Sequence, residues 1–241
     1  VTDRAIPAIV NRAAGSADDA IAALREAGGF DVIEADADDL STIVRDAIAA
    51  GHRRIVVAGG DGTIGAAAAE LVGSVVELAV IPGGTLNHFA RDHGIPTDVA
   101  EAIALARDGA AHGVDLARVN DRVFLNTSSV GAYTAFVRTR DRIEGNWGYT
   151  MASMIAAVRT WFTMHRFAVE VTGPEGPRLF RTPLLFIGVG ERELKAPALG
   201  GRVEGGERGL HLMVVRGRTR GAVLALALGA AIRGLRGVPA P

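Results

Sequence analysis

The chain has 241 residues, a net charge of −1, 49% hydrophobic and 22% charged residues. That length and apolar fraction suit one large domain or two small ones with a sizeable core, and exclude a disordered or fibrous chain. With no cysteine, disulfides and thiolate metal sites are excluded, which leans towards a reducing compartment.

The charge is unevenly spread. Residues 1–115 carry 8 Lys+Arg against 18 Asp+Glu, a net of −10, and residues 116–241 carry 18 against 9, a net of +9. This predicts two domains facing different partners, with the basic half suited to an anionic surface. The alternative is two halves that attract each other. The chain opens at Val1 without a leader pattern and without Met, as a processed or truncated product would. Its longest apolar run, Gly221 to Ile232, is shorter than the about 20 residues that span a bilayer and reads as a buried helix.

In chain order, Ala5–Val10 reads as a buried strand, followed by the loop NRAAGS and a helix from Asp18 to Ala27. FDVIEA is a second strand, and Asp38–Ala50 a helix with Asp38 or Asp39 at its cap. RIVVA is the third strand, then GGDGT, then an alanine-rich helix to about Val72. LAVI, Leu78–Ile81, is the fourth strand, followed by PGGTLNHFA and a helix from Thr97 to Arg107. Such alternation implies parallel strands with right-handed crossovers, and ligands bind beyond the strands' carboxyl ends. All three glycine-bearing loops lie on that edge.

After Val114 the pattern turns to short strands, namely DLARV, RVFLNTS, RFAVEVT, PLLFIGVG and LHLMVV. This predicts an antiparallel, β-rich second domain. A helix from about Tyr149 to His165 interrupts it, and Arg220–Arg236 reads as a last helix. The three- and four-residue spacing of Met151, Met154, Ile155, Val158, Trp161 and Phe162 points to core packing. Trp147, Tyr149, Trp161 and Phe162 could instead border a ligand pocket. The expected architecture is therefore a three-layer α/β domain over residues 1–115 and a β-rich, sandwich-like domain over 116–241.

Gly60–Gly65, GDGTIG, has the G-x-G-x-x-G form, but the next strand ends in Pro82-Gly83 where a dinucleotide site needs an acid. The Walker pattern is absent. Gly59, Gly60 and Gly62 still let backbone N–H groups approach phosphates at a helix start. A carboxylate at Asp61 would repel a phosphate. Either it accompanies Mg²⁺, directly or through water, or it caps the following helix. Pro82–Arg91, PGGTLNHFAR, is a second glycine loop with Thr85 and Asn87 as hydrogen-bonding groups, and Asn11 adds a third contact point. The six histidines show no i, i+4 metal pairing.

GGDGT followed by PGGTLNHFAR resembles the diacylglycerol kinase catalytic-domain family, which includes bacterial lipid kinases and sphingosine kinases. VNRAAG resembles that family's N-P-x-x-G loop with Arg12 at the proline, and VDLARVNDRVFLNTSSVGAY resembles its crossing into the second domain. GGDGT alone also occurs in NAD kinases. The resemblance implies an ATP site between the two domains. By motif position Gly59, Gly60, Asp61, Gly62, Thr63 and Thr85 would bind ATP, with Asn11 and Asn87 nearby and Ile64, Gly65 and Gly84 in the same loops. Asp115 matches an acidic position of a Mg²⁺–water network, so Asp61 and Asp115 are the metal candidates.

The sequence departs from that family at several points. Asn87-His88 stands where Asn-Asp is usual, and TPLLFIGVG lacks the two asparagines that often end that strand. Aligning Leu210, Leu212 and Val214 with the strand after the family's Asp-Gly puts Glu207 at the Asp, as general base, and Arg208 at the Gly. Glu191 and Glu193 are weaker substitutes. The family usually continues past Pro241, so the chain reads as a fragment or an abbreviated second domain.

The resemblance implies an ATP- and Mg²⁺-dependent lipid kinase, most simply converting diacylglycerol to phosphatidic acid, with Glu207 and Asp61 catalytic. The alternatives are a catalytically impaired nucleotide or lipid binder and an NAD-kinase-like enzyme. The expected partners are a membrane lipid and an anionic membrane surface, met by the arginines around the last helix at the cytoplasmic face of the inner membrane. No aromatic-basic stacking pattern supports nucleic acid. Oligomeric state is not written in the sequence, a homodimer being the simplest assembly.

Overall fold

The structure is a computed structural model that describes residues 5–193, 201–203 and 205–214. The chain divides into two compact units, the first ending at Asn126 and the second beginning at Thr127.

The first unit runs β1 (Ile6–Asn11), α1 (Ala17–Ala27), β2 (Phe30–Ala35), α2 (Leu40–Ala49), β3 (Arg54–Gly59), α3 (Asp61–Glu70), β4 (Glu77–Pro82), α4 (His88–Asp92) and α5 (Val99–Asp108). A hairpin of β5 (Ala117–Val119) and β6 (Arg122–Phe124) follows and groups with this unit. The sheet is parallel, in the order β2-β1-β3-β4. Side-chain alternation along each strand fills two cores. Ala8, Val10, Val56, Ala58 and Ile81 pack against Leu24 of α1 and Ile103 of α5. Ile9, Ile55 and Val57 face the other way, against Val44 of α2, Ala67 of α3 and Leu71 just past its end. The apolar strand runs thus read as central strands covered on both sides, which makes the three layers expected.

Polar groups close the helix ends. Asp98 caps α5, accepting the Glu101 N–H at 3.0 Å. At the other end of α5, the Arg54 guanidinium donates to the carbonyls of Ala106 at 2.9 Å, Arg107 at 2.7 Å and Gly109 at 2.6 Å. Its Nε also donates to Glu77 at 2.8 Å. Arg107 in turn donates to the carbonyls of Ala27 and Gly28, both at 2.7 Å, at the end of α1. A cation at the carbonyl end satisfies orphan acceptors and opposes the helix dipole.

The second unit contains β7 (Thr127–Gly131), α6 (Ala132–Thr163), β8 (Phe167–Gly173), β9 (Gly176–Thr182), β10 (Leu184–Val189), β11 (Arg192–Glu193), β12 (Gly201–Arg202) and β13 (Leu210–Val214). Its sheets are antiparallel: β13-β10-β7, the hairpin β8-β9 and the short pair β11-β12. The expected last helix, Arg220–Arg236, lies outside the described residues.

Two expectations are corrected at α6. The helix begins at Ala132 rather than near Tyr149, and its two halves meet at Gly148, whose backbone (φ 71, ψ 161) leaves the helix. Gly145 and Gly148 hid the first half from a periodicity reading, because glycine lowers helix propensity. The second correction concerns packing. The second half of α6 buries Ala152, Ser153, Ala156, Ala157 and Thr160. Met151, Met154, Ile155, Val158 and Phe162 are exposed. The apolar spacing marks one face of a helix, but it does not say which face the protein covers. Here the small residues allow close approach and the large ones point to solvent.

Candidate functional site

The carboxyl edge of the parallel sheet is lined as its topology requires. A cleft of about 600 Å³ opens there within the first unit. Asn11 and the turn after β1 form one wall, Gly60, Gly62 and Thr63 at the start of α3 form the floor, and Gly84, Thr85 and Asn87 after β4 form the second wall.

The two glycine loops are packed backbone against backbone. A Cβ added at Gly84 would stand 2.7 Å from the Gly60 Cα, and one at Gly83 would stand 3.3 Å from the Gly59 Cα. The Gly83 N–H donates to the Gly59 carbonyl at 2.9 Å. A Cβ at Gly59 would run into the Thr63 side chain at 2.7 Å. Gly62, by contrast, has open space around it.

Side chains fix this geometry. Asn11 Nδ2 donates to Thr63 Oγ1 at 2.8 Å, while Asn11 Oδ1 accepts the Ala13 N–H at 3.0 Å. One amide therefore ties β1's loop to α3 and shapes its own turn. Asn87 adopts a left-handed backbone (φ 47), which asparagine tolerates, and its Oδ1 accepts the Gly84 N–H at 2.8 Å.

Asp61 is the clasp between the loops. Its carboxylate accepts the backbone N–H groups of His88 at 3.0 Å and Phe89 at 2.9 Å. Asn126 Nδ2 reaches the same carboxylate at 3.4 Å. The capping alternative thus holds with a different helix: Asp61 caps α4, across space, and not the α3 it begins. Its charge is met by amides before any ligand arrives.

The α3 N-terminus keeps its capacity for an anion. Its N-cap is Gly60, and no side chain caps its first turn. The α1 N-cap, Ser16, also makes no side-chain cap bond, and Ser16 lines the cleft. Two uncapped helix starts and glycine backbone thus border one cleft, an arrangement that receives phosphate groups.

Other expected residues fall elsewhere. Ile64 is fully buried beside Ala68, Val80, Phe89 and Leu125, and its N–H already donates to the Gly60 carbonyl at 3.0 Å. Ile64 therefore offers a ligand neither side chain nor amide. Gly59, Asp61 and Gly65 do not line the cleft, Asp61 because its carboxylate is turned to the α4 amides. Asp115 is half-buried in the coil between α5 and β5, also outside the lining. Glu207 belongs to the second unit and is exposed. Its N–H donates to Glu191 Oε2 at 3.1 Å, and its carbonyl accepts the Glu191 N–H at 2.9 Å. Glu191 therefore holds the Glu207 turn. The sequence reading missed Ser16, Gly83 and Thr97 in the lining. Ser16 was visible as the polar residue before a helix, and Gly83 as half of the PGG pair.

Among the described residues no group of three His, Cys, Asp or Glu side chains gathers round a point. One feature does suit a divalent cation. Asn126 Oδ1 is buried with no hydrogen-bond partner, on the side chain that reaches Asp61. With its amide turned, Asn126 would put this oxygen beside the carboxylate, a pair that suits Mg²⁺, which binds through one or two protein oxygens and completes its shell from phosphates and water.

Sequence comparison agrees with this geometry. The family model for the diacylglycerol kinase catalytic domain matches residues 7–119. That segment contains the whole cleft and is similar in sequence to the diacylglycerol kinase catalytic domain. The chain is 36% identical over 161 residues to a Pseudomonas syringae pv. tomato protein named "Probable lipid kinase YegS-like", covering 64% of this chain and 50% of the relative. It is 42% identical over 116 residues to a Pseudomonas aeruginosa protein of the same name, covering 46% and 38%. The chain thus spans about half the length of the curated relatives it matches. In fold it is similar to a crystal structure of a diacylglycerol kinase from Bacillus anthracis str. Sterne, with a TM-score of 0.65, 24% identity, and coverage of 92% of this chain and 77% of that one.

Proposed function

We propose that the protein is an ATP-dependent lipid kinase that phosphorylates a hydroxyl of a membrane lipid, with diacylglycerol as the first candidate. The observation that carries this reading is the fusion of two glycine loops over an uncapped helix start. Phosphoryl transfer depends mainly on positioning and charge stabilisation, and the cleft supplies both.

Gly60, Gly62 and Thr63 present amides to the nucleotide phosphates. Asn11 holds Thr63, and Asn87 holds Gly84, so the walls are set before binding. Thr85 is exposed at the rim. Asp61 and Asn126 are the oxygens that would hold Mg²⁺, with Asp115 as the further acidic candidate; the ion, when bound, offsets phosphate charge. Glu207 takes the proton of the lipid hydroxyl, and Glu191 fixes the turn that carries it. A carboxylate one methylene longer than the family's aspartate can serve this role if its turn is placed to match.

The test is ADP release from Mg·ATP with diacylglycerol in mixed micelles, for the parent, Asp61→Asn and Glu207→Gln. An asparagine at position 61 has one accepting end for two amide donors, so it opens the clasp. Loss of turnover in both variants is the expected result. Loss in Asp61→Asn alone keeps the kinase and moves the base elsewhere. Nucleotide binding without ADP on any lipid replaces the reading by a non-catalytic binder. ADP release with NAD but not with lipid replaces it by an NAD-kinase-like enzyme.

A further inference from the structure

The second half of α6 is turned inside out. From Tyr149 to Thr163 it buries Ala152, Ser153, Ala156, Ala157 and Thr160, all small. It exposes Met151 (42%), Met154 (47%), Val158 (56%) and Phe162 (72%). At 3.6 residues per turn these exposed residues and Ile155 fall within an arc of roughly 100°, opposite the buried arc. A contiguous apolar face of this kind marks a binding surface, since a soluble domain gains by covering it.

We propose that this face is where the protein lies on an anionic lipid bilayer. Three observations choose a bilayer over a protein partner. Trp147 and Tyr149, exposed at the start of this segment, are the amphipathic aromatics that favour the membrane–water boundary. Tyr149–Thr163 contains no acidic residue, and its single charge, Arg159, is exposed at the border of the apolar arc. Residues 116–214, the stretch around this helix in the chain, carry 13 Lys+Arg against 9 Asp+Glu, a net charge of +4, complementary to anionic headgroups. The segment is too short to span a bilayer, and among the described residues no helix is long and apolar enough to do so. It lies in the interface instead, with its apolar side chains among the upper acyl chains.

The Gly148 break sets the angle at which the segment is presented. Arg140 sits over the Tyr149 ring at 5.2 Å and bonds Asp141 at 2.7 Å, so the turn between the two halves is held. The inference rests on the lipid-kinase reading only in supplying a reason for membrane contact.

The experiment is flotation of the full chain with vesicles of phosphatidylcholine containing 30% phosphatidylglycerol, for the parent and for Val158→Asp/Phe162→Asp. The parent floats, more weakly in high salt or on pure phosphatidylcholine, and the double variant loses roughly tenfold or more in partitioning. Equal flotation of the two chains, or none of the parent, overturns the proposal. A parent dimer that the double variant abolishes, without flotation of either, assigns the face to a second copy and also overturns it. In a Trp161→Phe background, Trp147 fluorescence is quenched by brominated lipid; absence of quenching overturns the proposal without reliance on the double variant. Turnover of a short-chain, water-soluble diacylglycerol is read separately. Its presence without flotation refutes the membrane face alone, and its absence with flotation refutes the kinase alone.

Discussion

At the scale of single residues, glycine acts in two different ways in the two loops. Gly84 is required by close approach, since its missing side chain lets Gly60 pass. Gly84→Ala should therefore force the loops apart, costing about 1–3 kcal/mol in urea unfolding and roughly tenfold or more in nucleotide affinity by calorimetry. Gly62 stands in open space on the cleft floor. Gly62→Ala should leave the unfolding midpoint within about 1 kcal/mol, the helix gaining what glycine had cost it, while still weakening nucleotide binding. Equal stability losses in both variants would contradict the distinction. The sequence showed that both loops were built around glycine, but not which glycines face each other. That depends on the strand register, which brings Gly59 level with Pro82. Asp61 was equally ambiguous, because its partners, His88 and Phe89, lie 27 and 28 residues away.

At the scale of elements, three helices of the first unit are closed by residues from elsewhere in the fold: α1 by Arg107, α4 by Asp61 and α5 by Arg54. Arg54 leaves β3 to serve the carboxyl end of α5, and it is largely buried while doing so, its side chain 17% exposed. Arg54→Met keeps the aliphatic stem and removes the donors to three carbonyls. We expect a loss of about 2–3 kcal/mol, measured by chemical unfolding, with hydrogen exchange fastest in the last turn of α5. A change below about 0.5 kcal/mol would show that water replaces the guanidinium. The strands and helices of this unit were legible because their periods switch cleanly and short turns punctuate them. α6 was legible only in part. Its glycines hid its first half, and a single helix pattern cannot tell a buried apolar face from an exposed one.

At the scale of the whole molecule, all residues that line the cleft lie between Asn11 and Thr97, inside a unit that ends at Asn126 and has its own two-sided core. Nucleotide binding should therefore survive separation. A fragment of residues 1–126 should fold cooperatively and bind a non-hydrolysable ATP analogue within about threefold of the full chain's Kd, a difference of less than 1 kcal/mol. With Glu207 as the proposed base, the fragment should release no ADP. Failure of the folded fragment to bind would mean that the second unit contributes directly to nucleotide contact. The two-part organisation was visible in the charge asymmetry and in the change from alternating to strand-rich pattern after Val114. The pairing of short strands such as β11 and β12 was not, since two-residue strands carry no period.

The Asp61 clasp has a consequence for how such a site can change or be transplanted. GGDGT is complete only when a second segment offers its amides to the aspartate, so neither loop is a portable part. Grafting the first loop onto another α/β scaffold without PGGTLNHF would leave an unmet negative charge beside the helix start proposed to take a phosphate. Swapping both loops together, with Asn126, would carry a neutralised receptor. The smallest inheritable piece of this site is a trio of segments distant in the chain, and a search for distant relatives should ask for all three at once.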